Sequence, residues 1–175
     1  MALITPEKLA ELGSEDGTQK AYIQAIRTRL QAAFPEVMLT YHVPNGGQRG
    51  EATLAAKTMS NFKAMGLVTG VPDICLPVSR YGFHSLYIEF KRPDGKGGLE
   101  QEQYDFILKL TANGNLVAIC DNWQHAYDIT SMYLSQDLKM RQLLNQDYHF
   151  GIRPLALIDV GGYVEKLVRK VNRRK

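Results

Sequence analysis

No run of apolar residues approaches the roughly 18–20 that a membrane-spanning helix requires, so nothing in the chain reads as a spanning segment. Cysteine is scarce: Cys75 and Cys120 lie far apart in apolar surroundings (DICLPV and LVAIC), with no Cys-x-x-Cys pair. That leaves no dithiol redox motif and points to two buried thiols in preference to a disulfide between them. The first residues, MALITPEKLAELGSEDG, hold acids where a secretory leader has a basic and then an apolar stretch, so the expected location is the cytoplasm. Internal repeats and low-complexity tracts are also absent, and hydrophobic residues (45%) outweigh charged ones (22%), unlike a disordered chain. The 175 residues suit one domain with a small appendage.

The charge that is present is unevenly placed. Residues 1–134 carry 12 Lys and Arg against 14 Asp and Glu, a balance of −2; residues 135–175 carry 9 against 4, a balance of +5. Such polarity suits a polyanionic partner contacted partly by the C-terminal part, with a plain solvated basic face as the alternative.

Ser14 is a helix cap before Glu15 and Asp16, and Ala21, Tyr22, Ile26, Leu30 and Ala33 form a stripe that predicts a helix over about residues 15–34, ending before Pro35. Gly17 is a poor helix former in that first turn. MLTYHV reads as a strand stopped by PNGG; a helix is expected over about residues 51–65, carrying Leu54, Met59, Phe62 and Met65; GVPD then leads into a short strand, DICLPV. SLYIEFK is the most regular alternating segment. After the polar loop RPDGKGG come a helix over about residues 100–113, the strand NLVAIC and a helix over about 123–134. This order predicts a mixed α/β domain, residues 1–134, with helices packed on a sheet. Residues 135–175 read as a basic helical extension. It comprises a helix at LKMRQLL and a last one after Gly161-Gly162 with Val164, Leu167, Val168 and Val171 inward and Lys166, Arg169, Lys170 and Arg173 elsewhere.

Alternation in SLYIEFK puts Leu86, Ile88 and Phe90 on one face and Tyr87, Glu89 and Lys91 on the other. A hairpin through Tyr81 and Gly82 would bring Asp73 beside Glu89. Two carboxylates so close repel unless a cation or proton intervenes, and a hard divalent ion with oxygen ligands suits them, with a lysine at hand to hold a water or offset charge on a phosphate. The plainer alternative is a surface Glu89–Lys91 salt bridge beside an Asp that merely starts a turn. Glu15 and Gln19, four apart on one helix face, could reach the same cleft, although a helix-start glutamate also complements the helix dipole. Gln103 shares the spacing of Phe106, Ile107 and Leu110, an amide on an apolar face that needs partners. PNGGQRG offers consecutive main-chain N–H groups at Gly46 and Gly47 with Asn45 and Arg49, either a phosphate cradle or an ordinary turn. Lys96, Arg92 and Arg80 sit in predicted loops near strand ends and could follow a nucleic-acid backbone or simply be solvated.

Glu15…Gln19, PNGGQR, GLVTGVPD, LYIEFKR, Gln103 and the Asn-Gly turn at Gly114, in this order and spacing, resemble the VRR-NUC (virus-type replication-repair nuclease) family of the PD-(D/E)xK nuclease superfamily, nearest to the small versions carried by phages and prophages. The likeness spans roughly residues 13–134; the tail has no counterpart. It implies a restriction-endonuclease-like core. Asp73 and Glu89 would be ligands of Mg²⁺ or Mn²⁺ with the main-chain carbonyl of Phe90, and Lys91 would position or activate a water. Glu15 would be a further ligand or outer contact, and Gln103 would orient Lys91 or a water. Asn45, Gly46, Gly47, Arg49, Gln19 and Lys96 are the candidate DNA contacts. The activity implied is endonucleolytic hydrolysis of DNA leaving a 5′ phosphate. Small stand-alone relatives act on branched DNA such as four-way (Holliday) junctions, whose two-fold symmetry a homodimer matches. A flap, nicking or less selective nuclease, and a nucleic-acid-binding module without hydrolysis, are the alternatives.

Overall fold

The strand Leu86–Phe90 lies in the middle of the sheet, with Leu86, Ile88 and Phe90 fully buried on one side and Tyr87 packed on the other. The computed structural model describes residues 4–11, 13–43, 60–146 and 156–173. Within them the strands are β1 (Tyr41–His42), β2 (Ile74–Leu76), β3 (Leu86–Phe90), β4 (Leu116–Cys120) and β5 (Leu157–Asp159), in the spatial order β1-β2-β3-β4-β5. β1–β2 and β2–β3 are antiparallel, β3–β4 and β4–β5 parallel. The helices are α1 (Pro6–Ala10), α2 (Glu15–Arg29), α3 (Gln101–Ala112), α4 (Trp123–Ser135), α5 (Leu138–Gln146) and α6 (Tyr163–Asn172).

Two hydrophobic cores sandwich the sheet. One joins Ala21, Tyr22, Ala25 and Ile26 of α2 and Ala126, Ile129 and Tyr133 of α4 to Ile88, Phe90, Ala118 and Cys120. The other joins Ile107 of α3 and Tyr163, Val164 and Leu167 of α6 to Val117, Ile119 and Leu157. The expected α/β architecture of a mixed sheet flanked by helices is therefore present, and its layers are helix, sheet, helix. Both thiols are free and buried, as expected.

The structure adds the short helix α1, which the sequence reading did not foresee, and departs from the sequence expectations at three further places. The helix foreseen to about residue 34 stops at Arg29; Leu30 caps it, and Phe34, ahead of Pro35, lies outside the helical region (φ −136°, ψ 80°). The strand foreseen at MLTYHV shrinks to Tyr41–His42, because Pro35–Leu39 winds into a 3-10 turn. Residues 135–175 supply, besides their two helices, the unforeseen strand β5, whose ALID core is too short to show a period. Of the helix expected at 51–65, residues 51–59 lie outside the described residues; 60–64 are helical, with Phe62 and Met65 exposed.

Candidate active site

Alternation along β3 leaves Glu89 and the following Lys91 on the side covered by α3, and both are almost wholly buried, 1% and 4% exposed. Lys91 Nζ donates to Glu89 Oε1 at 2.7 Å and to Gln103 Oε1 at 2.9 Å. Gln103 Nε2 also donates to Glu89 Oε1, and Gln103 Oε1 accepts from the main-chain N–H of Glu100 at 3.1 Å. Each atom of the Gln103 amide thus faces a partner of opposite character, which determines its orientation. Gln103 is at once the third residue of α3, completing a capping box with Glu100, and the brace of Lys91. The exposed salt bridge considered as an alternative is not what forms here: this pair is buried and braced.

Asp73 reaches the same place from β2. The register pairs Ile74 with Ile88, so one step further Asp73 stands opposite Glu89, as the hairpin predicted. Its Oδ2 accepts from the N–H of Phe90 at 2.8 Å. The loop before it comes close to α3 at Gly70, which has φ +82°; a Cβ there would lie 2.5 Å from the carbonyl oxygen of Glu102. Only glycine fits that approach. Glu15 starts α2, with Ser14 Oγ accepting the N–H of buried Gly17 at 3.0 Å, so the glycine is absorbed into the first turn without displacing the helix start.

The charges do not balance. Burial, then repulsion from Asp73, raises the Glu89 carboxyl to about 8, with Lys91 pulling the other way and Glu15 adding to the rise. Glu15 is likewise raised, first by burial and next by Asp73. Three carboxylates therefore share a field with one buried ammonium. Glu89 Oε2 is a buried acceptor with no hydrogen-bond partner. An orphaned, buried carboxylate oxygen among neighbouring acids fits a hard divalent cation. Among the described residues no group of three or more His, Cys, Asp or Glu side chains is arranged to hold a metal, so such a cation would rest on two carboxylates together with main-chain and water oxygens.

The remaining candidates scatter. Gln19 Nε2 lies 2.6 Å from His42 Nδ1, which is 3.1 Å from the carbonyl oxygen of Asp73. His42 is the residue that sequence reading passed over: its nearness to Asp73 arises from β1–β2 pairing, for which a two-residue strand leaves hardly any pattern. Lys96 is exposed in the loop after β3. Arg80 is engaged with Glu36 and the carbonyl of Leu134, and Arg92 with Asp94. Asn45, Gly46, Gly47 and Arg49 lie outside the described residues.

A solved structure described as a "VRR_NUC domain protein" aligns with 73% of this chain and 89% of its own, with a TM-score of 0.56 and 20% sequence identity. The fold is VRR-NUC-like. Neither a family model nor a curated protein matches the sequence. A VRR-NUC-like fold is consistent with a restriction-endonuclease-like core, and at this identity the likeness speaks for architecture alone.

Proposed function

We propose that the chain is a metal-dependent DNA endonuclease that hydrolyses phosphodiester bonds, acting on branched DNA such as four-way junctions as a homodimer. The observation that carries the reading is the buried Glu89–Lys91–Gln103 network set against Asp73, with Glu89 Oε2 left unpaired. Asp73 and Glu89 would hold Mg²⁺ or Mn²⁺. The Phe90 carbonyl suits the same role, because N–H and C=O of one extended residue point to the same side and this N–H meets Asp73. Glu15 contributes negative field from α2. When bound, the ion supplies Lewis-acid stabilisation of phosphate oxygens and lowers the pKa of water.

The chain's own groups account for the rest. Lys91 has a third N–H direction free of Glu89 and Gln103 in a three-donor ammonium, suited to positioning the attacking water or offsetting phosphate charge. Gln103 keeps that ammonium from rotating away. The preference for branched DNA and the dimer rest on the resemblance to small VRR-NUC proteins and on the symmetry argument.

The test is cleavage of end-labelled junction, flap, duplex and single-stranded DNA with Mg²⁺, Mn²⁺ or EDTA. The reading expects metal-dependent cuts, with the junction preferred. Salt-sensitive binding with uncut DNA under every metal would instead indicate a binding module on a nuclease fold.

A further inference from the structure

The last helix carries two faces with different work. Tyr163, Val164 and Leu167 are buried in the second core, and the side-chain oxygens of Asp159 accept the N–H groups of Tyr163 and Val164, each at 2.9 Å, pinning the start of α6 to the end of β5. Val171 and Asn172 at its far end line one small cavity with Gln101 and Tyr104 of α3, and Tyr104 and Val168 pack on the same core. α6 therefore runs from the edge strand toward the N-terminal turn of α3, the turn that holds Gln103.

Along this path the outer face is basic. Lys166, Arg169, Lys170 and Arg173 follow the i, i+3, i+4, i+7 rule, are exposed, and line one shallow depression of about 380 Å³. The stripe is about 10 Å long, at 1.5 Å per residue. One acid joins it: Glu165, paired with Arg169 at 2.6 Å. Lys166 rests over the Tyr163 ring, 4.7 Å from its centre, which limits its freedom. Residues 135–175 hold the chain's whole positive surplus, and four of their nine cations lie on this docked helix and its cap.

We propose that the basic stripe of α6 is a DNA-backbone contact surface, a rail that receives the phosphates of a duplex arm beside the candidate active site. This inference rests on the nuclease reading for its partner. A stripe of this length spans about three phosphates of one strand, at 3.4 Å of duplex axis each. Contacts to the phosphate backbone position the duplex and carry no sequence information of their own.

The experiment compares the full chain with the Lys166→Gln/Lys170→Gln/Arg173→Gln variant and the charge-keeping Lys166→Arg/Lys170→Arg variant. Fluorescence anisotropy of labelled duplex and junction DNA is read in EDTA from 50 to 200 mM KCl. Three lost phosphate contacts should lower the slope of log affinity against log salt by about 2 to 3, whereas the arginine variant should keep it. The melting temperature checks that the glutamine variant is folded. An unchanged slope overturns the proposal, as does a wild-type chain that binds no DNA. A loss seen only with competing RNA of the same sequence, and not with DNA, also overturns it. The two readings fail separately: uncut DNA under every metal with a stripe-dependent slope removes the nuclease and keeps the rail, while metal-dependent cutting with an unaltered slope does the reverse.

Discussion

At the scale of single residues the candidate site is a problem of excess negative charge. Asp73→Asn keeps an oxygen to accept the Phe90 N–H, so the fold should persist, while loss of one anionic ligand should lower cleavage by at least about a hundredfold. Single-turnover cleavage beside a circular dichroism melt checks both halves, and full activity would refute the assigned role. Glu89 makes a second prediction. Its carboxyl is held at about 8 in the fold against 4.5 as the ordinary value. Between those values the folded chain binds the proton more tightly than the unfolded one, so metal-free stability should fall as pH rises from about 4.5 to about 8 and level off above. In EDTA, the melting temperature of the wild type should drop over this window more steeply than that of Glu89→Gln; equal slopes would contradict it. Added Mn²⁺ should raise the wild-type melting temperature most at the alkaline end, where the proton no longer competes. Asp73, Glu89 and Lys91 were legible in the sequence because strand alternation and one hairpin bring them together locally. The partnering of Gln103 was legible from its helix only as a need, with Lys91 or a water as the partner that the family resemblance implied, and His42 was not legible at all, since its neighbours come from separate elements.

At the scale of elements, what matters is how closely the loop before β2 approaches α3. Gly70→Ala would place a methyl against the Glu102 carbonyl at a positive φ. The expected cost is about 1–3 kcal/mol, and the shifted loop should carry Asp73 with it, so activity should fall more than stability alone explains. Urea unfolding and cleavage rates on the same preparation separate the two; a neutral effect on both would show that the approach is not needed. Helix ends were read well where a cap or a glycine marks them: Ser14 begins α2, Asn122 caps α4 by accepting from His125, and Gly114 follows α3 at φ +75°. They were read poorly at residues 30–40, where proline admits either a strand entry or a 3-10 turn and local preference does not choose.

At the scale of the molecule, the C-terminal segment completes the sheet. β5 pairs with β4 through Val117, Ala118 and Ile119, and α6 covers Ile107, Val117 and Ile119. Deleting residues 135–175 should therefore expose the β4 edge and the second core, giving an aggregating product without a cooperative melt. Size-exclusion chromatography and thermal unfolding of the truncated chain check this; a monomeric, sharply melting product would show that the first 134 residues stand alone. The stripe of α6 must for this reason be probed by side-chain substitution and not by truncation. No helix among the described residues is long and apolar enough to cross a membrane.

The amino-acid sequence by itself determined the alternating strand with its Glu-x-Lys pair, the helix caps, the two apolar thiols and the basic polarity of the C-terminal part, because each is written in neighbours a few residues apart. Tertiary structure alone decided that Lys91 is locked between Glu89 and Gln103, that Gly70 comes up against α3 and that β5 adds the last strand to the sheet. Those outcomes depend on which faces cover which. That choice is made by the burial of whole surfaces against one another, and no local pattern encodes it.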